Sequence, residues 1–165
     1  MHKSTRFWLA SGLAALLLGV VPFAGAVRDD LGFVRIKPDE VEWRESPGDG
    51  GLKFAVLAGD PSKPGLYVIR VKFPPGLMTR PHRHPEDRHA IVVSGTWYTG
   101  EGSTFAPDRT VPLGPGSYMM HPANGYHFDG AKDEEVVVQI AGYGPSATIY
   151  ADPAAGSTGS SRTPR

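Results

Sequence analysis

Alternation with a period of two dominates the middle of the chain. In residues 66–73, "LYVIRVKF", Tyr67, Ile69, Val71 and Phe73 fall on one face while Arg70 and Lys72 fall on the other. Successive side chains of a strand point to opposite sides of a sheet, so this pattern predicts a strand with one buried face. Similar short runs rich in Val, Ile and Tyr occupy residues 32–36, 41–45, 53–59, 89–100, 116–122 and 134–144. Gly, Pro and Asp clusters separate them, among them "PGDGG" at 47–51, "GDPSKPG" at 59–65 and "PLGPG" at 112–116. No segment beyond the N-terminus has the 3.6-residue period of an amphipathic helix, so the expectation is all-β. Seven or more strands in one small domain close into an antiparallel double-sheet barrel or sandwich.

The two ends of the chain read differently. Lys3 and Arg6 precede an apolar run at 7–21, Pro22 breaks it, and "AGA" at 24–26 gives the small-x-small pattern of a cleavage site. Fifteen apolar residues are short for a bilayer span, which needs about 20. Residues 1–26 are therefore expected to be a signal peptide, making the protein periplasmic or secreted with no membrane association after cleavage. Residues 27–150 form the barrel domain, and "ADPAAGSTGSSRTPR" at 151–165 has no large apolar side chain and reads as a disordered tail. Without Lys3 and Arg6, 15 basic residues face 17 acidic ones. The absence of a basic stripe excludes a nucleic-acid partner. There is no cysteine, so any metal must be held by His, Asp or Glu.

The chemistry concentrates in "RPHRHPEDRH" at 80–89, which holds three of the six histidines. His82 and His84 are two apart, so a strand entering here projects both to one side. An H-x-H pair alone also suits a solvated loop. Its surroundings add more: Gly76 lies six residues before His82, Gly95 eleven after His84, and downstream Gly116, Pro122 and His127 follow at intervals of six and five. Gly76-x5-His82-x-His84 … Gly95, then Gly116-x5-Pro122 … His127, resembles the two motifs of the cupin superfamily. Within it, the chain is similar to small exported bacterial single-domain members with an H-x-H-P-x-D-E-H first motif.

The resemblance implies an antiparallel double-sheet β-barrel of cupin type, holding one divalent metal ion: iron, manganese, zinc, nickel or copper. It assigns the ligand role to His82, His84 and His127, and it implies pairing of two chains through sheet edges. The sequence departs from the motif at Arg88, where the family has a metal-binding Glu. Guanidinium has no free lone pair and stays charged, so Arg88 cannot ligate. Facing inward, it would contact a substrate anion; facing outward, it would be a solvated edge residue. His89 fits a longer spacing as a replacement ligand, but strand parity puts it opposite Arg88, Ala90 and Val92, so a bulge would be needed to bring it in. Glu86 could swing in as a further ligand, and His121 reads as structural. Asn124 stands where the family has glycine, a position both tolerate in a left-handed turn. Two functions follow as expectations. One is a metal-dependent oxygenase acting on a small, anionic organic molecule; the other is a non-catalytic module binding a metal or small ligand. A barrel whose Arg88 has abolished metal binding is the third reading.

Overall fold

The computed structural model describes residues 29–46 and 48–160. The expected signal peptide lies outside the described residues, as do residues 161–165. Thirteen strands follow in chain order: β1 (Arg44–Glu45), β2 (Lys53–Ala58), β3 (Gly65–Phe73), β4 (Leu77–Thr79), β5 (His82–Arg83), β6 (Arg88–Ser94), β7 (Trp97–Glu101), β8 (Val111–Leu113), β9 (Tyr118–His121), β10 (His127–Gly130), β11 (Val136–Gly144), β12 (Ile149–Tyr150) and β13 (Thr158–Ser160). All the pairings are antiparallel. One sheet runs β1-β2-β3-β11-β6-β9. The other runs β12-β5-β10-β4-β13, with β7 pairing β10 and β8. The fold is the expected all-β double sheet.

The two sheets bury their facing sides against each other. Tyr67, Ile69 and Phe73 of β3, Val92 of β6, Trp97 of β7 and Val136, Val138 and Ile140 of β11 form one apolar cluster. Alternation along β6 is strict at its start, with Arg88, Ala90 and Val92 buried and His89, Ile91 and Val93 exposed. The β6–β7 turn is made by Gly95 at φ +72°, where a Cβ would overlap the Glu135 carbonyl oxygen. Only glycine adopts that conformation at no steric cost and leaves room for the neighbouring backbone.

Two expectations are corrected. Residues 32–36 contribute only an isolated bridge at Val34; Phe33 and Val34 are exposed, so their apolar side chains have no face to pack on. Nor is the tail without structure up to Ser160. β13 pairs with β4, the Arg80 N–H donates to the Ser157 carbonyl, and the Ala151 N–H donates to the Pro81 carbonyl. Backbone pairing along a sheet edge needs no apolar side chain, and the small residues of "TGS" let the chain lie close to Arg80: a Cβ on Gly159 would come within 2.7 Å of the Arg80 Nε.

Candidate metal centre

β5 is two residues long and bounded by Pro81 and, one step on, Pro85. It is long enough to pair His82 directly with His127, the first residue of β10. Cross-strand partners share a face, and His84, two beyond His82, joins them. Ring centroids are 4.4 Å apart for His82–His127, 4.9 Å for His82–His84 and 5.3 Å for His84–His127. One ligand nitrogen from each lies within 4.8 Å of the others. All three rings are buried.

Backbone carbonyls fix the ring orientations. The Nδ1 of His82 lies 2.7 Å from the Arg80 oxygen, that of His84 2.8 Å from the Ala147 oxygen and that of His127 2.9 Å from the Gly125 oxygen. A carbonyl only accepts, so each Nδ1 carries the proton and each Nε2 keeps its lone pair. Burial keeps the imidazoles neutral. It pushes His82 down to about 3, helped by His127, and His84 down to about 2, helped by Arg88. His127 is also lowered by burial, against the opposing pull of Asp129. The His127 Nε2 is buried with no hydrogen-bond partner. Three neutral, oriented imidazoles, each with Nε2 as its unprotonated nitrogen, are a donor set that fits a divalent transition-metal ion.

Arg88 opens β6 and faces inward, 9% exposed, with Nη1 2.5 Å from the His84 Nε2. The guanidinium donates to that lone pair, so a cation competes with it there. Glu86 is not among the histidines: its Oε1 accepts from the Tyr67 hydroxyl at 2.6 Å, and its Oε2 is buried without a partner. His89 is corrected as a ligand candidate. It lies on the exposed face of β6, its Nδ1 2.8 Å from the Tyr118 hydroxyl, because β6 pairs with β9 without interruption from Arg88 to Ile91 and no bulge turns it inward. Asn124 does adopt a left-handed conformation, φ +62°.

Two inward residues were not expected at the site. His121 is the cross-strand partner of Arg88 and is 3% exposed. Its ring stacks on His127 with centroids 3.7 Å apart. Asp129, 5% exposed, follows His127 by two on β10 and accepts from the Trp97 Nε1 at 3.3 Å. Burial raises its carboxyl above the usual range, with His127 opposing. The i, i+2 spacing from His127 was a readable signal for Asp129. For His121 the signal was parity with Met119, once Tyr118 and Met120 prove to be the exposed pair of β9.

Comparison with known proteins agrees with the fold. No curated protein matches the chain. Among solved structures, the polyketide cyclase RemF from Streptomyces resistomycificus is 19% identical, with a TM-score of 0.59 over 72% of this chain and 84% of that one. A structure of the DMSP lyases RdDddP and RnDddQII is 26% identical, with a TM-score of 0.52 over 63% of this chain and 57% of that one. A cupin-like protein from Thermotoga maritima is 25% identical, with a TM-score of 0.50 over 61% and 77%. The model of the ChrR cupin-like domain matches residues 32–147, which include every strand that carries a candidate ligand. The chain belongs to that family of the cupin superfamily.

Proposed function

We propose that the protein is an exported cupin that binds one divalent transition-metal ion on His82, His84 and His127. Beside Arg88 it presents the ion to a small anionic organic molecule, as a metal-dependent oxygenase. The observation that carries this reading is the triple anchoring of Nδ1 to backbone carbonyls, which leaves three convergent Nε2 lone pairs in a buried site. Held by these histidines, an ion would supply Lewis acidity toward a bound small molecule. The chain's own residues hold the rings in one tautomer and shield them from water. They also place the Arg88 guanidinium beside His84. Where a cation takes the His84 Nε2, the Arg88 donors pass to a substrate carboxylate, which guanidinium binds in a fork. The pattern of residues 1–26 supports export.

The test is elemental analysis of the untagged native protein beside His82→Ala and His127→Ala variants. Both variants lose most of the metal if the assignment holds; a full metal load in both overturns it. Oxygen uptake by the loaded protein with carboxylates, thiols, phenols and diketones tests the reaction class, and no uptake with any of them removes the oxygenase half.

A second reading, a binding module without turnover, is favoured by one observation. Arg88 already donates to His84 and Glu86 already accepts from Tyr67, so the charged groups flanking the histidines hold the site rather than stand ready for proton transfer. Calorimetry showing tight metal or ligand binding with no reaction supports it, and failure to bind either excludes it.

A further inference from the structure

The three-histidine set uses only part of the donor chemistry inside the barrel. Arg88 and His121 face each other across β6 and β9, so the first sheet presents a second imidazole toward His127. β10 presents Asp129 on the same side as His127, its Oδ2 3.9 Å from the His127 Nε2. One ligand atom each from His121, His127 and Asp129 lies within 4.8 Å of the others, and all three residues are buried.

The polar accounting of this corner is incomplete. The Nε2 atoms of both His121 and His127 are buried with no hydrogen-bond partner. Asp129 has the Trp97 indole at 3.3 Å, a long contact for a buried carboxylate. Two partnerless ring nitrogens beside a carboxyl group, all buried, are costly unless a cation, a proton or a water is shared between them. The first seat differs in that Arg88 already occupies one of its lone pairs, the Nε2 of His84. The His121–His127–Asp129 corner needs no displacement of the guanidinium. It also offers a carboxyl group where the three-histidine seat offers none. Two imidazoles and one carboxylate are a donor set suited to Fe(II) and similar first-row ions.

We propose that His121, His127 and Asp129 form a second seat for the divalent ion, and that Asp129 supplies the anionic ligand missing from the first motif at Arg88. The inference rests on the metal-binding reading above. The His127 Nδ1 is engaged with the Gly125 carbonyl, so its Nε2 is the one nitrogen shared by both seats. They are therefore alternative positions for a single ion rather than a two-metal centre. In the second seat the ion leaves the Arg88–His84 hydrogen bond intact.

Cobalt(II) titration of the full chain, followed by calorimetry and by the visible d–d absorption, tests the seat without any activity assay. Asp129→Asn and His121→Gln are each expected to weaken cobalt binding at least about tenfold and to alter the absorption band. Circular dichroism and melting check that each variant folds. Should Asp129→Asn fail to fold, His121→Gln decides. Cobalt affinity and spectrum unchanged in folded His121→Gln overturn the second seat, and a paramagnetic shift at His121 alone does not rescue it, because its ring stacks on His127 at 3.7 Å. If His82→Ala and His84→Ala lose the ion in that case, the three-histidine reading survives alone. If the latter two bind as wild type while Asp129→Asn and His121→Gln do not, the second seat stands and the three-histidine seat falls. A wild-type chain that binds no cobalt ends both.

Discussion

Arg88 decides how the site behaves at the scale of single residues. Its Nη1 donates to the His84 Nε2 at 2.5 Å. It withholds one imidazole lone pair and places a positive charge beside any incoming cation. Arg88→Ala removes both effects, and Arg88→Glu also restores the carboxylate of the motif. Metal affinity is expected to rise about tenfold or more in Arg88→Glu, each tenfold being about 1.4 kcal/mol. Calorimetric titration of a divalent ion into each variant is the measurement, and an unchanged or weakened affinity in both would show that the guanidinium does not compete. The same replacement is expected to weaken binding of a small carboxylate to the loaded protein, since the fork that receives it is gone. Parity along β6 made the inward face of Arg88 readable from the sequence. Its partner was not readable, because His84 lies in the irregular segment between β5 and β6, whose path leaves no periodic pattern.

Among the elements, what the sequence revealed tracks how much of each strand faces solvent. β3 and β6 carry one wet face and one dry face, and their alternation stood out. β10 did not, because all four of its residues are buried: Phe128 is covered by Phe105 and lies over Gly100, while His127 and Asp129 face the interior. With both sides covered there is no polar-apolar rhythm to read. β5 is too short for any rhythm, and β13 is held by backbone bonds that leave no mark in side-chain hydropathy. His82, His84 and His127 were suggested by the resemblance to the cupin motifs; Asp129 left only its i, i+2 spacing from His127 as a trace, and His121 needed the exposed face of β9 to be known. The β6–β7 turn gives a direct test of element geometry. Gly95→Ala forces a side chain into the left-handed region and against the Glu135 carbonyl, and is expected to cost at least about 1–3 kcal/mol. Urea unfolding monitored by tryptophan fluorescence, to which the buried Trp97 just past the turn contributes, reads the cost; a midpoint equal to wild type would show that the turn relaxes freely.

For the whole molecule, the question is what covers the outside of the first sheet. Among the described residues β9 terminates that sheet, so one side of its backbone has no strand partner there in the sheet order. On its outer face Tyr118 is 60% and Met120 40% exposed, and Ile91 and Val93 of neighbouring β6 are 50% and 43% exposed. A terminal strand with an apolar outer face is a template for pairing unless something blunts it, and no charged residue interrupts the four positions of β9. Two copies related by a two-fold axis satisfy both needs at once, since an antiparallel β9–β9 contact is self-complementary. The chain is therefore expected to sediment as a dimer, and Tyr118→Lys with Ile91→Lys to convert it to a monomer that keeps its fold and its metal. Metal retention matters because Arg88 and His121, on the same two strands, point the opposite way, so charges added outside leave the interior face in place. A wild-type chain that sediments as a monomer, or a double variant that remains dimeric, removes β9 as the dimer edge.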